Sequence, residues 1–254
     1  MTGRLHMHKT TKGLVLREVK YKELDKLLTV LTDDMGKITV KAPASLKKTG
    51  KASAATQLFA FSELTMFERM GRWQITEGTV IEGFQGLRSD ISALALASYF
   101  AECVEAMSDE DQPNPMMLQL VLNCLFALSN KLYPQTHIKT AFELRLMCLA
   151  GYTPDLTACA VCGNPQPIEP RFSTRNGIIC CADCMNAEIE ANVKLCGESL
   201  NEMRYIINAE PRKILNYKVG ESGMDRAAYA AENYLKTQTE KTFSALSYWK
   251  QVKI

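Results

Sequence analysis

The period of the hydrophobic pattern changes near Gly86, and this change constrains the chain to a strand-rich first part and a helix-rich second part. From Lys12 to about Gly83, apolar residues alternate with a period of two, which is typical of half-buried strands. Five such segments in about 70 residues predict a small barrel. The five-stranded OB-fold is the familiar case, although an SH3-like barrel fits the periodicity equally well.

Turn and capping residues place the individual elements. Strands are predicted at Gly13–Leu16, Leu24–Thr32, Gly36–Lys41, Leu58–Arg69 and Arg72–Ile81. Helices are predicted to begin at Ser89 or Asp90, after Pro113–Pro115 and at Thr136, with later ones at Glu198–Asn208 and at Met224–Tyr248, the last broken near Thr239. The expected class is α+β: an OB-fold barrel over residues 1–83, a helical domain over 84–254 and an irregular insert over 154–192 within it.

Basic charge is concentrated in the first part of the chain. The formal net charge is only +2, yet Met1–Ala52 contains twelve Lys/Arg against five Asp/Glu. Met35–Ser62 contains five lysines and no acidic residue. Such a run predicts a surface that faces anions, most simply phosphate backbones. The alternative is a solvated, lysine-rich loop that protects an edge strand from aggregation.

Two Cys-x-x-Cys pairs form the most specific motif of the chain. The second pair follows the first after eighteen residues. A tetrahedral structural metal needs this pattern, because each turn presents two sulfurs and the loop between them folds one turn onto the other. We therefore predict one structural zinc ion, with the ligands Cys159, Cys162, Cys181 and Cys184.

Two alternatives stay open at this site. Iron in a rubredoxin-like site uses the same ligand geometry. Cys180 could replace Cys181 as the third ligand, and we favour Cys181 because Cys-x-x-Cys is the commoner geometry. The remaining cysteines are expected to be core thiols: Cys103, Cys124, Cys148 and Cys196.

Motifs for catalysis and for membrane insertion are missing from the sequence. It contains no P-loop, no G-x-G-x-x-G after a strand and no G-x-S-x-G elbow, and no zinc-ligand histidine pattern of a catalytic zinc. Its longest mostly apolar stretch, Met116–Leu128, is shorter than the roughly 20 residues that a membrane helix needs. We therefore expect a protein that is not an enzyme, has no membrane partner and stays in the cytoplasm.

Several motifs together resemble one known family along nearly the whole chain. They are Gly13-Leu-Val-Leu-Arg17 with Asp25, Thr32 and Gly36, then Leu87-Arg-Ser-Asp90 and Tyr99-Phe-Ala-Glu102. The most distinctive is the run from Phe142 to Asp155, Phe-Glu-Leu-Arg-Leu-Met-Cys-Leu-Ala-Gly-Tyr-Thr-Pro-Asp, which leads directly into Cys159-Ala-Val-Cys162-Gly163. On these residues the chain resembles the RecO family of bacterial recombination and repair mediators.

This resemblance implies an N-terminal OB-fold and a helical domain that carries a zinc module. It also implies a role without catalysis: binding single- and double-stranded DNA, annealing complementary strands, and working with RecR and single-stranded DNA-binding protein to help load RecA. A nucleoid-associated location follows from that role. The rival hypotheses are a zinc-stabilised RNA-binding or ribosome-associated factor, since basic barrels also bind RNA, and a scaffold that binds only proteins.

The DNA contacts are expected on the barrel, where the basic charge lies. The candidates are Arg17, Lys20, Lys37, Lys41, Lys47, Lys48 and Lys51, with Tyr21 or Phe59 as possible stacking surfaces for bases. The acidic, hydrophobic-ended tail of single-stranded DNA-binding protein calls for a groove that combines basic and apolar side chains. We expect this groove on the helices Leu118–Leu132 and Phe142–Leu149, with Lys131, Lys139 and Arg145.

Overall fold

The first part of the chain folds into a closed barrel of five strands. The computed structural model describes residues 8–21, 25–43, 50–69, 71–185, 189–190 and 192–253, with no side-chain description at residues 50 and 51. The strands are β1 (His8–Tyr21), β2 (Asp25–Thr32), β3 (Lys37–Ala42), β4 (Phe61–Arg69) and β5 (Arg72–Glu82). In β3 and β4 alternating residues are buried, as the period of two predicts, whereas the last five residues of β2 are all buried.

Strand order identifies the kind of barrel. The order is β1-β2-β3-β5-β4, and β4 pairs with β1 to close the ring. Among the described strands of the barrel, only β3 and β5 pair in parallel, through Val40 with Trp73 and through Lys41 with Gln74. A short helix, α1 (Gly50–Ala55), lies between β3 and β4. This topology confirms the predicted OB-fold and excludes the SH3-like alternative.

The fourth strand begins later than the sequence pattern predicts. Strand pairing starts at Phe61, and the predicted start at Leu58 is wrong. Phe59 has a positive φ of 62°, a left-handed conformation that a bulky residue rarely adopts and that a strand cannot contain. The N–H of Phe59 donates to the carbonyl oxygen of Val15 at 2.9 Å, and this hydrogen bond joins the turn to β1.

Two long helices follow the barrel. α2 (Ile91–Met107) begins after Asp90, whose Oδ1 accepts a hydrogen bond from the N–H of Ala93 at 3.0 Å. α3 (Pro115–Ser129) begins after a proline-rich loop, as predicted. Both helices group with the barrel in one compact unit that comprises Met1–Ser129 and Val252–Ile254. The sequence-based division at residues 83/84 marks instead the change from strands to helices.

The second compact unit comprises Asn130–Gln251, and its described residues form four α-helices, the last of which extends one residue beyond it. They are α4 (Gln135–Leu149), α5 (Gly197–Asn208), α6 (Glu221–Thr239) and α7 (Ser244–Val252). α6 packs against both α4 and α5. The predicted break near Thr239 is confirmed, because Glu240 follows with a left-handed φ of 53° and ends the helix.

The insert of the second unit is more regular than the sequence predicts. Its described residues contain three short strands, β6 (Asp155–Cys159), β7 (Arg171–Ser173) and β8 (Ile178–Cys180). A fourth, β9 (Val193–Lys194), follows directly after the insert and completes the sheet in the order β6-β8-β7-β9. Strands of two to five residues are too short to show a hydrophobic period, which is why the prediction of an irregular insert is wrong. Among the described residues, no helix has the length and apolarity that a membrane crossing requires.

Candidate metal centre and nucleic-acid interface

Two tight turns carry the four cysteines of the motif. The first follows β6, and the N–H of Gly163 donates to the carbonyl oxygen of Cys159 at 2.9 Å. Gly163 has a φ of 73°, which favours glycine. The second is a 3₁₀ turn in which the N–H of Cys184 donates to the carbonyl oxygen of Cys181 at 3.1 Å. β6 and β8 lie side by side in the sheet, so the two turns meet at one end of it.

The four sulfur atoms form a compact cluster. The Sγ atoms of Cys159, Cys162, Cys181 and Cys184 all lie within 4.8 Å of one another. Those of Cys162 and Cys181 are 3.8 Å apart. Thiolates that bind a zinc ion tetrahedrally at about 2.3 Å lie about 3.8 Å apart. The cluster therefore has the ligand set and close to the spacing that a tetrahedral metal ion requires.

The electrostatics of the cluster also suit a cation. Burial alone would raise the pKa of Cys159, but N–H groups of Cys162, Cys181 and Val161 stabilise its thiolate and lower the pKa to about 6. The N–H of Cys181 lies 3.3 Å from that sulfur. By contrast, hydrogen bonding to Cys162 raises the pKa of Cys184 to about 12. The lowered pKa favours the thiolate form of Cys159. A bound cation would also favour the thiolate forms of the other three cysteines.

Cys180 lies beside the cluster without joining it. Its side chain is fully buried on β8 and packs with Cys159 and Cys181. Burial, with the charges of those two neighbours, raises the pKa of Cys180. The structure therefore brings Cys181 into the four-sulfur group and leaves Cys180 in the core behind it.

The other cysteines lie away from the cluster. Cys103 and Cys124 are fully buried on α2 and α3, and burial raises the pKa of Cys124 far above its usual range. Cys148 is half-buried on α4. Cys196 is also half-buried, but it stands at the N-terminus of α5, where its side chain accepts from the N–H of Ser199. Cys196 was expected to be a plain core thiol, but it also caps the N-terminus of α5.

Four of the predicted DNA-contacting side chains lie on described strands of the barrel. Arg17 and Lys20 are exposed on β1, and Lys37 and Lys41 are partly exposed on β3. β2 lies between these two strands. Arg17 is aligned with Thr29 of β2, which in turn is aligned with Thr39 of β3. Arg17, Lys37 and Lys41 therefore lie on one side of the three-stranded surface β1-β2-β3, which we call the basic face. Lys20 lies three residues from Arg17 on β1 and points to the opposite side of the sheet.

Three of the four cations already have partners within the first unit. Arg17 forms an ion pair with Glu105 of α2 at 3.0 Å. Lys37 donates to the carbonyl oxygen of Glu105 at 2.7 Å. Lys41 forms an ion pair with Asp25 of β2 at 2.7 Å. These partners were not predicted, because Glu105 is distant in sequence and has no pattern that marks it as a neighbour of Arg17.

The remaining predicted contacts divide into three groups. Lys47 and Lys48 lie outside the described residues, and Lys51 lies in α1 without a described side chain. Tyr21 is half-buried at the end of β1. Phe59 is only 3% exposed, so the prediction that it could stack on a base is wrong. Its left-handed turn places the ring in the core, and the alternation of apolar residues gives no sign of that.

The groove predicted for a partner tail also needs correction in the second unit. Lys139 is only 2% exposed and forms ion pairs with Glu143 at 2.9 Å and Glu232 at 3.1 Å. Arg145 is half-buried, and its Nη1 donates to the carbonyl oxygen of Ile207 at 2.8 Å, near the C-terminus of α5. Of the three basic residues predicted there, only Lys131 is exposed. The groove prediction is therefore wrong for Lys139.

Comparison with known proteins places the chain in a family. Residues 7–84 match the model described as recombination protein O N terminal, and residues 88–246 match the model described as recombination protein O C terminal. The DNA repair protein RecO of Acetivibrio thermocellus is 28% identical over 240 residues, 94% of this chain and 95% of that protein. The DNA repair protein RecO of Alkaliphilus metalliredigens is 27% identical over 243 residues, 95% of this chain and 98% of that protein. The DNA repair protein RecO of Listeria welshimeri is 34% identical over 170 residues, 66% of each chain. The matched models cover both the barrel and the helices with their cysteine module, and the chain belongs to the RecO family of DNA repair proteins.

Proposed function

We propose that this protein is a DNA repair and recombination mediator that binds single- and double-stranded DNA and anneals complementary strands. With RecR, it helps load RecA onto DNA coated by single-stranded DNA-binding protein. The observation that carries the proposal is a closed OB-fold barrel with cations on one face, in a chain of the RecO family. OB-folds commonly use the surface around strands 2 and 3 for nucleic acids.

The chemistry of the basic face favours contacts to phosphates over contacts to bases. Arg17, Lys37 and Lys41 supply positive charge on this face, while Phe59 is buried and offers no stacking surface. Phosphate contacts position a nucleic acid without reading its sequence. We therefore expect binding with little sequence preference, which suits a protein that must act wherever DNA is damaged.

Annealing requires no chemical step in this proposal. A surface that holds two strands lowers their mutual repulsion and raises their local concentration, and neither effect consumes a nucleotide. We therefore propose that the protein is not an enzyme. We propose further that the four-cysteine cluster holds one structural zinc ion, because four thiolates at this spacing saturate a tetrahedral metal and leave no open position for a substrate.

Salt dependence of binding tests the phosphate contacts. For a labelled single-stranded oligonucleotide, the logarithm of the affinity should fall with the logarithm of salt by about 0.7 per phosphate contact. Replacing Lys47, Lys48 and Lys51 with alanine should therefore reduce the slope by about two. The matched control replaces three exposed lysines of the second unit, Lys194, Lys213 and Lys241, which should leave the slope unchanged.

Two outcomes would contradict the proposal. If the variant without Lys47, Lys48 and Lys51 has the same salt slope as the wild type, these lysines form a solvated surface that does not contact DNA. Preference for RNA over single-stranded DNA of matched sequence would favour an RNA-binding factor. Annealing of complementary oligonucleotides should proceed without ATP, and a requirement for hydrolysis would point to another class of protein.

A further inference from the structure

Strand β6 departs from its neighbour β8 just before the first Cys-x-x-Cys turn. Asp155 is aligned with Ile178 of β8. Four residues later, Cys159 is aligned with the very next residue of β8, Ile179. Residues 156–158 therefore have no counterpart on β8 and form a bulge, which leaves backbone groups without ladder partners. Their carbonyl oxygens need donors from elsewhere, directly beside the turn that carries two of the candidate ligands.

The side chain of Arg204 on α5 supplies these donors. Its Nε donates to the carbonyl oxygen of Leu156 at 2.6 Å. Its Nη2 donates to the carbonyl oxygen of Thr157 at 3.0 Å and to that of Pro165 at 2.7 Å. Leu156 and Thr157 precede the first cysteine pair in the chain, and Pro165 follows it. A single nitrogen atom thus bridges the two ends of the loop that carries this pair.

We call residues 156–165 the first cysteine loop, because they carry Cys159 and Cys162. Within this loop, the N–H of Cys159 donates to the carbonyl oxygen of Asn164 at 2.8 Å. The hydrogen bonds from Arg204 hold the same loop at its ends. Cysteine has one rotatable bond between its backbone and its sulfur, so the path of the backbone largely decides where the sulfur lies. A side chain that holds the ends of this loop therefore also helps to fix its two sulfurs.

Helix α5 gives Arg204 a firm support. Its neighbours Glu202, Met203 and Ile206 on the same helix are all buried, so this part of α5 is packed into the second unit. The described hydrogen bonds of the Arg204 side chain all go to backbone carbonyl oxygens of the first cysteine loop. The guanidinium group therefore connects a packed helix to the loop that carries two of the candidate ligands.

A different helix, α6, holds the same sheet at another place. Nε2 of Gln238 donates to the carbonyl oxygen of Thr174 at 2.8 Å and to that of Arg175 at 2.9 Å. Both acceptors lie in the turn between β7 and β8, which carries none of the four clustered cysteines. Of these two attachments, the one through Arg204 reaches a loop with metal ligands, and the one through Gln238 does not.

We propose that Arg204 is a positioning residue of the metal site, which holds the ends of the first cysteine loop so that the first cysteine pair meets the second. This proposal rests on the structural zinc ion proposed above. Groups that orient metal ligands without touching the metal typically contribute about 10- to 100-fold to metal affinity. A guanidinium group suits this role, because its flat fork of donors is always charged and reaches several oxygens in a fixed geometry.

Competition between the full-length protein and a coloured zinc chelator tests the proposal. Arg204→Met removes all of the side-chain donors and keeps an apolar stem, and it should weaken zinc binding about tenfold or more and speed zinc release. Two matched controls should bind zinc as the wild type does. Gln238→Met removes the attachment of the sheet to α6. Arg145→Met removes a guanidinium group that donates to the carbonyl oxygen of Ile207, within the helices of the same unit.

Titration with Co²⁺ distinguishes positioning from loss of a ligand. Arg204→Met keeps all four cysteines, so at saturation its visible spectrum should match that of the wild type, although a higher Co²⁺ concentration is needed. If Arg204→Met does not fold, Arg204→Lys takes its place. It keeps the charge, but an ammonium group lacks the planar fork that spans these three oxygens, and zinc binding should weaken severalfold.

The proposal is overturned if the tested Arg204 variant binds zinc as the wild type does, or if either control weakens binding as much as that variant. A Co²⁺ spectrum of the Arg204 variant with fewer thiolate ligands would also overturn it. Absence of zinc from the wild type would refute the metal site itself, and the proposal with it. Unchanged affinity in the Arg204 variant of a protein that does bind zinc would refute only the role of Arg204.

Discussion

The barrel and the cysteine module bury different kinds of side chain, although both are small sheets. The barrel core consists of aliphatic side chains from all five strands and α1, including Val15, Leu28, Val40, Leu64 and Ile75. In the cysteine module, Cys159, Cys180 and Cys181 form a buried cluster of thiols, with Cys184 and Ile189 packed against them. The barrel therefore encloses a large hydrocarbon core, whereas the smaller sheet ends in a buried group of thiols that are ligands of a candidate metal site.

This difference determines what each sheet needs in order to fold. Burial of aliphatic surface stabilises the barrel by roughly 1.5–3 kcal/mol for each large side chain, independent of any ligand. The short strands of the cysteine module each bury one large apolar side chain, and the turns that carry the cysteines bury thiols instead. The apolar side chains are Leu156, Phe172, Ile179 and Val193. Small modules of this kind usually depend on a metal ion or on disulfides. We therefore expect loss of the metal to unfold the cysteine module and to leave the barrel folded.

Removal of the metal should have the largest effect. In small zinc peptides, the apparent free energy of structural zinc binding is about 10–16 kcal/mol, comparable to the stability of a whole domain. We expect a strong chelator to remove hydrogen-exchange protection from β6, β7 and β8 and to leave the amides of β1–β5 protected. Metal analysis should give about one zinc ion per chain, and Cys159→Ala or Cys184→Ala should abolish it.

Single-cysteine variants provide the controls. Cys103→Ala changes a buried thiol of α2 and should keep the zinc ion. Cys181→Ala should lose it, whereas Cys180→Ala should retain it, because only Cys181 belongs to the four-sulfur cluster. Absence of metal from protein purified without oxygen, with four titratable thiols in the insert, would contradict the metal prediction.

Buried ion pairs are a second difference between the two units. Lys139 is paired with Glu143 and Glu232, and Glu232 also contacts Lys236 at 2.7 Å and Lys250. Burial alone would favour the neutral forms. The two carboxylates nevertheless raise the pKa of Lys139, and Lys139 with the other two lysines lowers the pKa of Glu232 to about 2. The described ion pairs of the barrel are much more exposed.

Replacement of Lys139 should have an intermediate effect. Lys139→Met leaves Glu143 buried without its cation and should destabilise the protein by about 3–5 kcal/mol, as measured by urea unfolding. Lys213→Met is the control, because Lys213 is 59% exposed and pairs with exposed Glu210; it should change stability by less than about 1 kcal/mol.

The pH dependence of the stability of Lys139→Met also tests the ion pair between Lys139 and Glu232. The pKa of Glu232 is about 2 in the folded protein, against an ordinary value of 4.5. Its contribution to stability is therefore present above about pH 4.5 and is lost as the pH falls toward 2. Lys139→Met should reduce this acid-dependent loss. An equal loss in variant and wild type would show that Lys139 does not hold Glu232 ionised.

Local patterns allowed most of the barrel and the cysteine cluster to be predicted. Alternation along one strand shows which residues face inward, and two residues between cysteines place both sulfurs on one turn. The turn at Phe59 was missed because its left-handed φ leaves no trace in hydrophobicity. The short strands of the insert were missed because they depend on neighbours far along the chain.

Charged residues were predicted less well, because a charge in a sequence does not reveal its partner. Lys139 was assigned to a surface, yet Glu232 lies far along the chain and α6 brings it next to Lys139. Glu202 gave no signal at all, because a single glutamate on an amphipathic helix is usually exposed. Only the tertiary packing shows which of these charged residues are buried.

The smallest effect is expected at the ion pair between Arg17 and Glu105 of the first unit. Arg17 is 60% exposed, so the pair is screened by solvent and should contribute no more than about 1 kcal/mol to stability. Glu105→Gln should therefore leave urea unfolding almost unchanged, in contrast to Lys139→Met. It should also release Arg17 for phosphate, because a cation no longer held by a carboxylate gains more from an approaching anion. We expect the affinity for single-stranded DNA to rise by a few fold at low salt and this gain to shrink as salt increases. Unchanged affinity would mean that Arg17 does not contact DNA, and weaker affinity would mean that Glu105 positions Arg17 for it.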